Sequence, residues 1–282
     1  MTGAQPRRLV LCADDYGMTP GVSRGIVELI ARGRLSATSC MSVSPFWPEH
    51  AAWLAPFAGK VDVGLHLTLT HFAPLGPMPH TAPKGRLPEL PRIVRRALLR
   101  SLDRHEVAVE FERQVDAFEQ AFGHMPAFLD GHQHVHQLPV VRDVTLSLLS
   151  RRLRGQGYVR LCAEPLSAML VRRGDLGRAF IVSLLGRGFT RRVRQMRLPA
   201  NDSFRGVYNL SNRVPFADRF RRFLHGKGRR PLIMCHPGHV DAELRDTDSL
   251  TDQREIEWQY FNGDDFLRDL DRAGFELGRL DI

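Results

Sequence analysis

The sequence predicts an α/β fold built from repeated strand and helix units. Two observations support this prediction: apolar runs of strand length alternate with segments of helical spacing, and ionisable residues directly follow several of the runs. The chain has 282 residues, of which 43% are hydrophobic and 25% charged. Disordered and fibrous classes are therefore excluded, and a core can form without disulfides.

The predicted elements follow one another in a β-α-β order. Residues 8–13 form an apolar run, and Thr19 followed by proline marks the start of a helix. Six prolines crowd the segment 71–92, which predicts an irregular loop that forms a lid or rim. Further strands are predicted at 37–43, 61–69, 127–130, 158–162, 231–235 and 275–280, and further helices at 48–57, 93–102, 106–122, 140–153, 253–260 and 264–272.

The positive charge of the chain is concentrated in one region. The formal net charge is +9, and twelve arginines but only two acidic residues lie between Arg151 and Arg197. We predict an arginine-rich insertion at about 164–197 within a single domain spanning residues 1–282, since no repeat or linker divides the chain. Such a cluster is typical of a solvated helical face, and it could also meet an anionic lipid surface.

Membrane spans and disulfide frameworks are not predicted. The N-terminal segment has too few apolar residues for a signal-peptide core, and no apolar run approaches the ~20 residues of a membrane span. We therefore expect a cytoplasmic protein, at most peripheral to the inner membrane. The four cysteines are far apart, with no C-x-x-C pair, and are expected to be buried thiols: Cys12, Cys40, Cys162 and Cys235.

Ionisable residues lie at or just beyond the ends of four predicted strands. In parallel α/β folds these ends share the face that carries active sites. The residues are Asp14 and Asp15, His66, the group Asp130, His132, His134 and His136, and His236. Each residue could instead have a structural role, such as a helix-capping aspartate pair before Gly17 or a histidine in a turn. Four coinciding strand ends favour a functional site.

The spacing of these residues indicates a metal site. Asp14 and Asp15 are adjacent, so in an extended segment their side chains point to opposite sides and two different roles are implied. His132, His134 and His136 share one face if the strand continues, whereas only the first is fixed at the rim if the strand ends at Asp130. A carboxylate with two histidines is a known metal-binding set, which leaves positions open for water and substrate.

Four segments, in this order, resemble the YdjC-like carbohydrate deacetylases, the ChbG/HpnK family: LCADDYGMTPGVSRGI, VGLHLTLT, FLDGHQHVHQLP and IMCHPGHVD. The resemblance implies a distorted (β/α) barrel, TIM-like, with the active site at the C-terminal ends of the strands. It also implies a metal-dependent hydrolase that removes acetyl groups from N-acetylated sugars, in an N-acetylglucosamine-containing oligosaccharide or glycolipid. The proline-rich and arginine-rich segments depart from the short form of the family.

The resemblance implies a role for each rim residue. Asp15, His66 and His132 would hold a divalent ion, Asp14 would be the base and His236 the acid. Magnesium is the ion that the resemblance favours, with zinc or another divalent ion as alternatives. Further contacts in a second shell or to substrate would come from Asp130, His134, His136 and Asp241. A homodimer is left open.

Two other functions remain as alternatives. The segment D-G-H-Q-H, which begins at Asp130, resembles an element of metal-dependent phosphoesterases of the PHP type, and the arginine cluster could hold phosphate. A basic nucleic-acid-binding protein would use the same cluster and bind less tightly at high salt. The chain has only four tyrosines and three tryptophans and no recognised nucleic-acid motif, so no nucleic-acid partner is expected.

Overall fold

The strands of the computed structural model form a single curled sheet. The structure describes residues 6–164, 176–208, 214–225 and 228–281. In these residues the strands are β1 (Arg7–Tyr16), β2 (Ala37–Cys40), β3 (Asp62–Leu67), β4 (Phe128–Gly131), β5 (Tyr158–Val159), β6 (Ser203–Arg205), β7 (Pro231–Cys235) and β8 (Phe275–Leu277). Their order is β5-β4-β3-β2-β1-β7-β6, all pairs are parallel, and β8 pairs with the first residues of β1.

Helices surround this sheet. The described helices are α1 (Pro20–Ala31), α2 (Trp47–Leu54), α3 (Leu90–Leu98), α4 (Arg104–Phe122), α5 (Val141–Leu148), α6 (Leu176–Gln195), α7 (Phe216–Leu224), α8 (Ala242–Thr247), α9 (Asp252–Asn262) and α10 (Asp264–Arg272). Short 3-10 segments cover Ala55–Phe57 and His132–Gln137, and a π-helical turn at Leu149–Leu153 extends α5. None of the helices in the described ranges is both long enough and apolar enough to cross a bilayer.

The two ends of the sheet approach each other. An isolated parallel bridge joins Val159 of β5 to Ala200, just before β6, and the Val159 N–H donates to the Pro199 carbonyl at 3.0 Å. The sheet therefore curls into a distorted barrel-like form, and the predicted α/β class is confirmed. Since the described strands all join one sheet, a single domain over residues 1–282 remains our proposal.

Local sequence explains where the elements near the rim begin. Residues 9–16 of β1 are buried, as expected for a central parallel strand covered on both faces. The Thr19 hydroxyl accepts from the Val22 N–H at 3.4 Å, and Pro20 occupies the first turn of α1. The segment between β1 and α1 is thus fixed at both ends, which positions the carboxyl end of β1.

Most of the predicted elements are present; β1 is longer than the predicted 8–13, and several other strands are shorter than expected. The strands predicted at 37–43, 158–162 and 275–280 end early, at Cys40, Val159 and Leu277. The strand at 231–235 has the predicted bounds. Strand β6 and helices α7 and α8 were not predicted; β6 has only three residues, too few for a periodic pattern. Of the predicted arginine-rich insertion at about 164–197, residues 165–175 lie outside the described residues, and the rest is mostly α6.

Candidate active site

The carboxyl ends of four strands meet around one cavity. Because these strands are parallel, their ends lie at the same rim of the sheet. The cavity has a volume of about 260 Å³. Its lining includes the rim residues Asp14, Asp15, His66, His132, His134 and His236. The sequence-predicted set is therefore largely brought together, although its members come from segments up to 222 residues apart, from Asp14 to His236.

The two aspartates at the end of β1 face different partners. Asp15 has φ 69°, in the left-handed region that residues other than glycine rarely adopt. The Asp14 carboxylate accepts two hydrogen bonds from the Arg160 guanidinium, at 2.7 and 2.6 Å. The Asp15 carboxylate instead lies beside two imidazole rings. The separation of roles expected for an adjacent pair is thus present in their contacts.

Asp15, His66 and His132 form a compact set of potential metal ligands. Asp15 Oδ1 lies 3.0 Å from His132 Nδ1 and 3.4 Å from His66 Nε2. One donor atom from each residue lies within 4.8 Å of the others, and all three side chains are buried. One carboxylate oxygen and two imidazole nitrogens suit a divalent cation and leave further positions open. These three residues therefore fit a divalent metal ion.

The outer contacts of this set also fit a metal site. His66 Nδ1 lies 2.7 Å from Asp130 Oδ1, which orients the opposite nitrogen, Nε2, towards Asp15. The other oxygen of Asp15 accepts from the Arg254 guanidinium at 2.7 Å. Burial alone would raise the pKa of Asp15, but Arg254 and His132 lower it well below its usual range. The carboxylate is therefore ionised and ready to bind a cation.

The charge around His66 explains how metal binding would compete with protons. Burial alone would lower the pKa of His66, but the neighbouring carboxylates, mainly Asp130, raise it to about 10. The metal-free imidazole thus holds a proton on both nitrogens at neutral pH. A metal ion bound at Nε2 would replace one of these protons, so affinity should increase with pH.

A second group of possible ligands, Asp14, His66 and Asp130, is less suitable. The Arg160 guanidinium binds both carboxylates of this group, and it lies 2.5 Å from Asp130 Oδ2. The other Asp130 oxygen already contacts His66 and the Ser39 hydroxyl. A cation between Asp14, His66 and Asp130 would face the positively charged guanidinium of Arg160, and the carboxylate oxygens already have other contacts. The first group is therefore the better candidate.

Replacing Arg160 with methionine should destabilise the metal-free protein by about 3–5 kcal/mol, because Asp14 and Asp130 would remain buried without their shared counter-charge. The matched control is Arg152→Met, which also removes contacts to several carboxylates but at the partly exposed surface of α4 and α5. It should cost about 1 kcal/mol or less. Urea denaturation of both variants provides the measurement. Equal losses would show that Arg160 is not the counter-charge of the site.

His236 directly follows β7, which lies on the other side of β1 from β3 and β4 in the sheet. Burial lowers the pKa of His236, partly opposed by Asp15 and Asp14. Its backbone N–H donates to Glu257 Oε2 at 2.6 Å, and the Tyr208 hydroxyl contacts the other oxygen of Glu257. Glu257 is fully buried. This carboxyl group from α9 therefore fixes the backbone that presents the His236 imidazole to the cavity.

The wild-type protein should gain stability relative to Glu257→Gln as the pH falls from 8 to 5. Burial raises the pKa of Glu257 from 4.5 to about 7. Between these values the folded state holds a proton that the unfolded chain has released, so the free energy of unfolding increases as pH decreases. The difference in the free energy of unfolding between wild type and variant should change by about 3 kcal/mol between pH 8 and pH 5. Urea denaturation at both pH values measures it, and a pH-independent difference would contradict the assignment.

The three alternating histidines do not share one face. The strand ends at Gly131, and Gln133 and His134 have φ values of 53° and 61° in the turn that follows. Only His132 reaches Asp15. His134 lines the cavity near the Cys162 thiol. His136 is buried, and its Nε2 lies 3.0 Å from the Arg160 carbonyl.

Asp241 and the proline-rich segment 71–92 were also singled out in the sequence, and both lie outside the group of Asp15, His66 and His132. Asp241 caps α8 by accepting from the Leu244 N–H at 2.8 Å, and it also accepts from the Gly21 N–H. Among the residues that the structure describes, Asp241 is not part of the lining of the 260 Å³ cavity. The proline-rich segment borders a neighbouring cavity of about 530 Å³ that it shares with His132 and Asp248. The segment thus lies beside His132, and its last three residues, 90–92, belong to α3. Its role as a lid or rim stays a prediction.

Sequence reasoning missed the buried charged residues that hold the site. Arg160 was counted only as part of the basic region between Arg151 and Arg197, although its position directly after β5 was a usable signal. Arg254 and Glu257 lie in α9, where nothing in the local sequence marks them. Arg254 binds both Asp15 and Asp248. These contacts depend on the tertiary fold.

Comparison with known proteins places the chain among sugar-modifying relatives. A family model described as YdjC-like protein matches residues 8–272. A carbohydrate deacetylase from Geobacillus stearothermophilus is 28% identical over 272 residues, which cover 96% of this chain and 96% of that protein. A chitooligosaccharide deacetylase from Serratia marcescens is 36% identical over 241 residues, which cover 84% of this chain and 83% of that protein.

A solved structure shares the fold. The crystal structure of a protein from Enterococcus faecalis V583, described as a candidate cellobiose-phosphate cleavage protein, superposes with a TM-score of 0.74. The two sequences are 20% identical, and the superposition covers 98% of each chain. At this identity the similarity supports the architecture alone.

Proposed function

Since the chain belongs to the YdjC-like protein family, we propose that it is a carbohydrate deacetylase that hydrolyses the acetamide group of an N-acetylated sugar. The observation that carries this proposal is the group Asp15, His66 and His132, buried at the rim beside a second, separately held aspartate. The relatives described as deacetylases of carbohydrates and chitooligosaccharides support the substrate class.

We propose that Asp15, His66 and His132 hold a divalent cation, with Asp130 orienting His66 and Arg254 orienting Asp15. Such a cation, when bound, polarises an amide carbonyl and lowers the pKa of water. Magnesium is our preferred ion by family resemblance. Zinc is the main alternative, because two imidazoles with one carboxylate are ligands that suit zinc.

Asp14 is the proposed general base. Its carboxylate lines the cavity, and the two hydrogen bonds from Arg160 fix its orientation, so it can accept a proton from the attacking water without changing its position. Arg160 also offsets the negative charge of Asp130 at the same point. A general base of this kind contributes roughly 10²–10⁴ in rate.

His236 is the proposed general acid. Its imidazole lines the same cavity as His66. The strands that carry the two residues, β7 and β3, lie on either side of β1. Loss of the amine requires a proton on the departing nitrogen, and the His236 imidazole can deliver one when it is protonated. The contact between Glu257 and the His236 backbone keeps the donor in place.

Acetate release from a panel of N-acetylated monosaccharides, oligosaccharides and glycolipids tests the proposal. A protein treated with chelator should be inactive, and added divalent metal should restore acetate release. A chromogenic phosphate ester in the same panel tests the phosphoesterase alternative. Phosphate release without acetate release from any sugar would overturn the proposed function.

A further inference from the structure

Helix α6 exposes apolar side chains on its outer face. Phe180, Ile181 and Leu184 retain 43%, 58% and 49% of their accessible surface, although aromatic and aliphatic side chains are normally buried. The opposite face of the helix is buried, including Ala179, Ser183, Phe189 and Val193. The exposed residues are therefore not the core side of a loosely packed helix. They form a separate apolar patch on the surface.

The same outer face becomes strongly basic along the helix. Phe180, Leu184, Arg187, Arg191 and Arg194 recur at intervals of three and four residues, so they lie on one side of α6. The three arginines are exposed. The first turns of this face are thus apolar and the last turns cationic.

An arginine-lined cavity adjoins the basic half. It has a volume of about 480 Å³, and its lining includes Arg142 of α5 and Arg187, Arg191 and Arg192 of α6. Asp143 lies 3.0 Å from Arg192 and 3.9 Å from Arg142. Four guanidinium groups with one neighbouring carboxylate suit an anion such as a phosphate group.

We propose that α6 is a docking surface for a membrane that contains anionic phospholipids. Phe180, Ile181 and Leu184 enter the headgroup region, and Arg187, Arg191 and Arg194 bind lipid phosphates. A helix that lies in the membrane interface combines an apolar surface with cationic side chains in this way. The helix has 20 residues, so its apolar and basic halves can both contact one flat surface.

Other occupants fit this surface less well. Two copies of α6 packed in parallel would place arginines against arginines, and two antiparallel copies would place arginines against the apolar patch. A nucleic acid would match the arginines but would gain little from Phe180, Ile181 and Leu184. A lipid surface satisfies both halves of the helix at once.

The position of α6 relates this surface to the cavity at the rim. Arg178 and Val182, from the same helix, line that cavity. Docking through α6 would therefore hold the cavity close to the membrane surface. The inference goes beyond the proposed reaction and does not depend on it, because the docking residues lie outside the cavity lining.

Flotation with vesicles of neutral phosphatidylcholine, or of phosphatidylcholine with phosphatidylglycerol, tests the proposal. The wild-type protein should bind the anionic vesicles and not the neutral ones. Replacing Arg187, Arg191 and Arg194 with glutamine should weaken binding about 100-fold, since each cation near the surface contributes about fivefold. The variant Phe180→Ser/Ile181→Ser/Leu184→Ser should weaken it at least about tenfold.

A fluorescent label reports insertion directly. The four native cysteines are buried, so Ile181→Cys provides a reactive thiol for an environment-sensitive dye. Its emission should shift to shorter wavelength on anionic vesicles, whereas the same dye on Leu98→Cys, exposed on α3, should not shift. Binding without a shift at position 181, or an equal shift at position 98, would contradict docking through α6.

A matched control and an activity measurement keep the outcomes separate. Arg92→Gln/Arg95→Gln on α3 removes exposed arginines elsewhere and should leave vesicle binding unchanged. All α6 variants should retain wild-type acetate release from a soluble N-acetylated oligosaccharide. Failure of acetate release in the wild-type protein would overturn the proposed function alone, and failure of vesicle binding would overturn the docking surface alone.

Discussion

Asp15→Asn is expected to bind a divalent cation at least about 100-fold more weakly than the wild-type protein and to lose acetate release by about 10³-fold. The amide keeps the size of the side chain but removes the negative charge that faces His66 and His132. It also removes one partner of Arg254, which keeps its contact to Asp248, so the variant should still fold. Isothermal titration with Mn²⁺ or Zn²⁺, with acetate release measured on the same samples, gives both quantities.

The control for this variant is a carboxylate outside the site. Asp116→Asn removes an exposed partner of Arg152 on α4 and should leave metal binding and acetate release unchanged. His132→Gln offers a second removal of a ligand, and we expect the same direction of change. Wild-type metal affinity in both Asp15→Asn and His132→Gln would show that the cation binds elsewhere.

Asp14→Asn should retain metal binding and lose turnover by about 10³-fold. The neighbouring residue Asp15 keeps its charge, so the ligand set is intact, whereas the amide cannot accept a proton from water. The loss should lie in kcat more than in KM, because the change affects the reaction step more than substrate binding.

This pair of variants tests the division of roles between the adjacent aspartates. The contacts of Arg160 with Asp14 and of Arg254 with Asp15 are the structural basis of the expected difference. Metal titration and steady-state kinetics of Asp14→Asn distinguish the outcomes. If Asp14→Asn and Asp15→Asn lost metal affinity equally, the assignment of base and ligand would be wrong.

The grouping of the rim residues could be predicted from the sequence because it depends on a general property of parallel sheets. Asp14 and Asp15 lie near the carboxyl end of β1, His66 lies near the end of β3, and His236 directly follows β7. Parallel strands bring such positions to one rim. The α/β class follows from the same alternation of strands and helices. These features are local patterns combined with one rule of topology, so they require no knowledge of side-chain contacts.

The charged residues that hold the rim in place could not be predicted in this way. Arg254 contacts Asp15 across 239 positions of the chain, and Glu257, also in α9, contacts the backbone of His236 directly after β7. Ion pairs between distant segments leave no periodic signal. The turn after β4 was equally hidden, because the left-handed conformations of Gln133 and His134 interrupt a spacing that is compatible with a continuous strand.

The arginine-rich region shows the limit of reasoning from composition. Arg160 is fully buried between two carboxylates, whereas Arg187 and Arg191 of α6 face outwards. Arg152 lies between these cases, with three acidic partners on α4. A count of arginines cannot separate a buried counter-charge from a basic surface, and only the fold assigns each residue to its surroundings.

Titration of chelator-treated protein with Mn²⁺, with bound metal and acetate release from an N-acetylglucosamine oligosaccharide followed in the same samples, tests the central claim most directly. Both signals should rise together and saturate at about one ion per chain, as expected for one ligand set of three side chains. Two results would contradict a catalytic metal held by Asp15, His66 and His132. One is full deacetylase activity before any ion has bound, and the other is tight binding of the added ion without any acetate release.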